Sequence, residues 1–181
     1  MKYKLTDVKI NFMGKTLFQI EAVKCFGDIV KGQKGGFIEK ESNLSQGGNA
    51  WVYGNAKVYG DAWVSGNAWV SGNAKVYGNA KVYGDAWVSG DAWVSGNAEV
   101  GGNAWVSGNA DYLAIGPIGS RNDITTFFKT ANNDIKVSCG CFTGNIEEFL
   151  EKVNETHGNN NYAKEYKTAV EIAKIHIFGG E

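Results

Sequence analysis

Between residues 51 and 110 the apolar positions follow a six-residue beat. Valine stands at positions 52, 58, 64, 70, 76, 82, 88, 94, 100 and 106, and alanine follows each valine by four residues, from Ala56 to Ala110. Gly and Asn or Asp precede every alanine, giving ten uninterrupted hexads of the form x-Val-x-Gly-(Asn/Asp)-Ala. In a short x-Val-x strand the flanking side chains face away from the valine. Gly and Asn accept positive φ, so the Gly-Asn and Gly-Asp pairs predict bends. Each hexad therefore predicts one short strand and one corner, with valine and alanine both directed inward.

A six-residue unit cannot bury its own apolar side, whereas a stack of such units can. A hairpin array is the competing arrangement, since Asn-Gly turns build hairpins. Here the order is Gly-Asn, the strands are three residues long, and two inward positions per hexad break simple alternation. The pattern predicts a parallel β-helix with three hexads per coil. At ~4.8 Å between strands, the ten hexads make about 3.3 coils and a stack roughly 16 Å tall.

With 18 residues per coil, residues 18 apart lie in one column. Trp51, Trp69, Trp87 and Trp105 form a ladder on the first face. Lys57, Lys75, Trp93 and Asp111 form the column of the second face, and Trp63, Lys81 and Glu99 that of the third. The neighbouring outward column carries Tyr53, Ser71, Ser89 and Ser107 on the first face, Tyr59, Tyr77 and Ser95 on the second, and Ser65, Tyr83 and Gly101 on the third. The inward positions are uniform and the outward ones are not. Three readings of the tryptophan ladder stand open: mutual shielding with cover from the C-terminal segment, an interface between copies of the chain, and a surface for an external ligand or partner.

The flanks obey other patterns. VKINFMGKTLFQIEAV predicts two strands about a turn at Gly14. A cap is needed there, because an open helix end exposes strand edges and core. Ile38 and Leu44 are six apart and predict an irregular first coil, whose register slips by two before Val52. GQKGGFIE is expected as a tight loop entering that coil. Beyond Ala110 the hexad ends, and Pro117 follows. Residues 123–130 and 134–139 predict strands joined at Ala131-Asn132-Asn133. Asn145 and Glu148 have capping-box spacing before a helix through Ile146, Phe149, Leu150 and Val153 that stops at Gly158. A second helix places Tyr162, Tyr166, Ala169, Val170 and Ala173 on one face. The fold class expected is mainly β: a parallel β-helix over 51–116, an N-terminal β cap over 1–50, and a small ββαα unit over 117–181. That last unit is too small for much independent stability and is expected to pack on the solenoid or on another subunit.

The hexads resemble those of the hexapeptide-repeat superfamily, whose fold is a left-handed parallel β-helix; the handedness is implied by that resemblance alone. GGFIEKESNLSQGGNAWVYGNAKVYGDAWVSGNAWV is similar to proteins encoded by phages and prophages, as is IKVSCGCFTGNIEEFLEKVNETHG with YAKEYKTAVEIAKIHI. The resemblance implies a phage-derived protein acting in the host cell cytoplasm.

Composition narrows the chemistry. The 181 residues carry 18 basic and 19 acidic side chains, a net charge of −1, so no basic nucleic-acid footprint exists. No run approaches the ~20 apolar residues of a membrane span. The N-terminus lacks the apolar core of a signal peptide, and a cytoplasmic location is expected. Cys25, Cys139 and Cys141 are too few for a disulfide framework. Cys139 and Cys141 share one face of a strand, which accounts for them as packed side chains more simply than as zinc ligands, since zinc needs four. Only Asp61, Asp85 and Asp91 are acidic among the corner residues, which argues against calcium.

Many hexapeptide-repeat proteins are acyltransferases with a histidine base and loop insertions that hold the acyl donor. Here the only histidines, His157 and His176, lie outside the solenoid, and the hexads have no insertion. The expectation is a non-catalytic binding protein with no cofactor and no metal, which neutralises a host defence factor by binding a host protein or sequestering a signalling nucleotide. A trimeric acyltransferase and a structural part of the virion are the alternatives. A dimer or trimer is expected. The candidate binding residues are Trp51, Trp69, Trp87 and Trp105, with Trp93, Lys57 and Lys75 as the column suited to a nucleotide.

Overall fold

The computed structural model describes residues 1–179; residues 180–181 of the expected C-terminal unit lie outside it. The chain begins with the hairpin β1 (Tyr3–Phe12) and β2 (Lys15–Ala22), antiparallel about Met13 and Gly14, both at positive φ. Strand β3 (Lys34–Ile38) follows, and the segment expected as a loop thus contributes a strand. It pairs antiparallel with β2 and parallel with the first repeat strand of the second face. The reason is close packing: a Cβ on Gly35 would come within 2.6 Å of the Val52 carbonyl oxygen. The two glycines that suggested a loop instead let an extended backbone lie against the first coil.

The hexads fold as ten two-residue strands, β4 (Trp51–Val52) to β13 (Trp105–Val106). They pair in parallel at the 18-residue spacing, as in Trp51↔Trp69, Lys57↔Lys75 and Trp63↔Lys81. The first coil supplies Ile38 opposite Val58 and Leu44 opposite Val64. Those pairs are two residues longer than the regular period, which is the expected slip. The result is a parallel β-solenoid of about four turns.

Every hexad valine has 0% exposure, and the alanines from Ala56 to Ala104 are buried with them. Burying one such valine contributes about 1.5–3 kcal/mol, so the column is the stabilising spine. Ala110 departs from the series and is exposed, because the chain leaves the coil through a 3-10 turn at Asn109–Asp111. Backbone amides link the tiers, as in Trp51 N to Ala68 O at 3.0 Å and Trp69 N to Ala86 O at 2.8 Å. At one corner side chains continue the linkage: Asn49 Nδ2 donates to Asn67 Oδ1 at 3.1 Å, and Asn67 Nδ2 to Asp85 Oδ1 at 3.0 Å.

The C-terminal unit is a four-stranded antiparallel sheet with two helices. Strands β15 (Asp123–Lys129) and β16 (Ile135–Cys139) match the two expected strands. They are flanked by β14 (Tyr112–Ile118) and β17 (Phe142–Asn145), which local patterning had not revealed. The expected boundary between residues 116 and 117 falls inside β14. Helix α1 (Ile146–His157) has Asn145 as N-cap, with its side chain and that of Glu148 bonded reciprocally to backbone amides. Helix α2 (Asn161–Phe178) buries Ala163, Tyr166, Ala169, Val170, Ala173 and Ile177. Tyr162, expected on that face, is exposed, and Ala163 takes the buried position.

The unit closes the end of the solenoid. Phe128 is fully buried within the solenoid core, and Thr130 bridges to Ala104. Glu99 N donates to Thr126 Oγ1 at 3.1 Å, and His176 Nε2 lies 3.2 Å from Asn109 O. Among the described residues no helix is long and apolar enough to cross a membrane.

Candidate binding surface

Because both ends of the solenoid are capped within the chain, the features left to solvent are its sides and the C-terminal unit. The tryptophan ladder is real as a register but divided in environment. Trp51 is fully buried. It meets Tyr3 edge-on, with centroids 6.3 Å apart, and Phe26 at 5.4 Å. Of the three open readings, the one with intramolecular cover placed that cover in the C-terminal segment; at this tier it comes from Tyr3 and Phe26 of the N-terminal cap. Trp51 is a core residue.

Tyr53 takes its place in the outer stack. Tyr53 and Trp69 stack with centroids 5.7 Å apart at 17°. Trp69 and Trp87 follow at 6.0 Å and 42°, and Trp87 and Trp105 at 5.1 Å and 24°. Trp87 and Trp105 retain 40% and 44% exposure. Rings stacked on one another shield their faces and present their edges, so the stripe offers apolar edges and indole N–H donors beside the serines of the next column. Trp63, on the third face, is equally exposed at 44%. It was visible in the sequence as an outward position but belongs to a column otherwise charged.

The second face gathers Lys57, Lys75 and Trp93 as the spacing requires. Lys75 Nζ lies 4.5 Å from the Trp93 ring centroid, and Lys57 Nζ lies 5.1 Å from that of Phe12. Each ammonium also donates to a corner carbonyl, Lys57 to Asn55 O and Lys75 to Asn73 O. Burial and the neighbouring Lys75 charge lower the Lys57 pKa. Alongside run Phe12, Tyr59, Tyr77 and Trp93, with Tyr59 and Tyr77 stacked at 5.0 Å. The cations are thus committed to aromatic faces and corner carbonyls within the chain. Asp111, expected as the fourth member of this column, instead accepts from Ser107 and Gly108 amides at 2.8 and 2.9 Å. It ends the solenoid rather than extending the face.

The structure separates the histidines and cysteines by environment. His157 stacks on Tyr166 and lies 3.4 Å from Ser120 Oγ through Nε2. Cys139 is half-buried and accepts from Thr125, whereas Cys25 and Cys141 are exposed. Burial, with Cys139 nearby, pushes the Tyr166 phenol up to about 12, and its hydroxyl accepts from the Cys139 thiol at 4.0 Å. Among the described residues no group of three or more His, Cys, Asp and Glu side chains is placed to hold a metal. Ser120 and Arg121 beside His157 were not found from sequence. They lie in a turn, and no spacing connects them to the helix they approach.

A family model described as the YdcK beta solenoid repeat matches residues 50–66, 56–72 and 74–90. These stretches lie in and at the start of the hexad region, and this region is similar to that repeat. Sequence and fold agree on a repeat β-helix protein. No curated protein matches the chain.

Proposed function

We propose that this is a non-catalytic binding protein whose solenoid displays the Tyr53–Trp69–Trp87–Trp105 stripe to a protein partner. The supporting observation is the exposure of Trp87 and Trp105, at tiers of the ladder beyond the one that the N-terminal cap buries. Large aromatics dominate binding energy when a partner desolvates them. The adjacent serines add hydrogen-bonding groups at low entropic cost. On the resemblance to phage and prophage proteins, the partner is a host protein, the site of action the host cytoplasm, and the outcome inhibition of a host defence. The chain's rigid, capped solenoid suits presentation of a preformed surface, which lowers the ordering cost of association.

The test compares the native protein with a Trp87→Ser/Trp105→Ser variant in capture from host lysate, with native mass measured for both. The reading expects a host protein held in stoichiometric amount by the native chain and released by the variant, which stays folded with thermal unfolding lowered only by the lost ring stacking. Equal capture by both would overturn it, as would a stripe found buried between copies of the chain in a stable oligomer.

A further inference from the structure

A cavity of about 290 Å³ opens in the C-terminal unit, sharing no lining residue with the tryptophan stripe, between the turn after β14, the end of β16 and the two helices. Its volume lies near the lower end of the usual small-molecule range, ~300–1,000 Å³. The floor is aromatic. Phe149 sits 5.5 Å from both Phe142 and Tyr166, meeting Tyr166 edge-on. Val153 and Cys139 complete the apolar wall.

The rim has a different chemistry. Arg121, Lys152 and His157 line it, and among the described residues no carboxylate does. Lys152 is held by Glu155 at 2.9 Å, on the exposed side of α1. Among the described residues Arg121 has only a distant partner, Asp123 at 3.9 Å. Gly140 gives that guanidinium its place: a Cβ there would lie 2.6 Å from Arg121 Cζ. The glycine, at φ +63°, turns the β16–β17 hairpin and leaves room for the cation above the pocket. Ser120 Oγ and His157 Nε2 stand together on the same rim and add hydrogen-bonding groups.

An apolar, aromatic floor under an arginine-bearing rim fits a ligand with two ends. We infer that this pocket binds a small amphipathic carboxylate, with its apolar body on Phe142, Phe149 and Tyr166 and its carboxylate on Arg121. The planar guanidinium fork matches a carboxylate in two parallel hydrogen bonds. The apolar body supplies most of the affinity, and the charge supplies the selection. The inference stands apart from the proposed partner surface.

Calorimetric titration with octanoate, octanol and octylamine tests it. Octanoate should bind with one site per chain, at least tenfold more tightly than octanol, and octylamine should not bind measurably. Arg121→Gln should weaken octanoate at least tenfold and leave octanol unchanged. Thr156→Trp, a bulky substitution at the exposed mouth, should abolish both. Circular dichroism and thermal unfolding establish that each variant is folded, and Trp87→Ser/Trp105→Ser should bind octanoate like the native chain. Absence of octanoate binding, equal binding of octanoate and octanol, or full affinity in either pocket variant would overturn the inference. Failure of the tryptophan variant to lose a protein partner would bear only on the other surface.

Discussion

The side chain of Lys2 donates to the carbonyl of Ala50 at 2.7 Å. Through this contact the second residue of the chain is tied to the entrance of the first regular coil. The same ammonium reaches the Gly47 and Gly48 carbonyls at 3.2 and 3.3 Å and lies over the Phe26 ring. Lys2 is thus almost wholly buried, and burial together with the Lys24 charge lowers its pKa to about 8.

That shift predicts a pH dependence. Unfolded lysine titrates near ~10.4, so between about 8 and ~10 the unfolded chain holds more protons than the folded one. Stability then rises with pH across this window. Tyr3 limits the gain from above: burial, with Glu41 nearby, raises its pKa, so ionisation in the unfolded chain costs stability above ~10. Urea unfolding of the native chain and Lys2→Met at pH 7.5 and 9.5 checks the point. The native midpoint should rise relative to that of the variant. A parallel pH response would exclude Lys2 as the cause.

The same sequence column predicts unequal losses. Trp51→Ala empties a fully buried site and should cost about 3–5 kcal/mol. Trp105→Ala removes one stacked contact at a 44% exposed site and should cost about 0.5–1.5 kcal/mol. Chemical denaturation of the two variants measures the contrast. Similar costs would show that Trp51 is not a core residue.

Corner glycines should be intolerant in the middle of the stack. Gly66 has φ +69°, and a Cβ there would sit 2.9 Å from the Gly84 amide nitrogen and carbonyl oxygen. Gly66→Ala combines left-handed backbone strain with a backbone clash and should cost at least about 2 kcal/mol. Gly14, also at positive φ, has open space around it, so Gly14→Ala should cost only about 1–2 kcal/mol. Thermal unfolding of both variants, with urea melts for the free energies, ranks them. An equal effect would put the whole cost in φ and none in the stacking.

The asparagine ladder makes a smaller contribution. Asn67 both accepts from Asn49 and donates to Asp85. These bonds are exposed, so Asn67→Ala should cost about 1 kcal/mol. Hydrogen exchange at the Asn49 and Asn67 amides, which bond to the next tier, should accelerate in the variant. Unaltered exchange would mean that the side chains only decorate the corner.

The sequence by itself determined the solenoid, because a repeated local rule needs no distant information. Valine and alanine at fixed spacing, with Gly-Asn corners, dictate the strand, the bend and the 18-residue register. It also determined the Gly14 hairpin and the Asn145 cap, which are set by residues adjacent in the chain. The tertiary structure decided what covers each outward position, and that depends on segments far apart in sequence. Trp51 and Trp105 occupy equivalent repeat positions, yet Tyr3 and Phe26 bury the first and leave the second open. Strands β14 and β17 form because neighbours in the sheet satisfy their backbone groups, a pairing no local alternation specifies. The pocket beneath Arg121 likewise exists only where a turn, a hairpin and two helices meet.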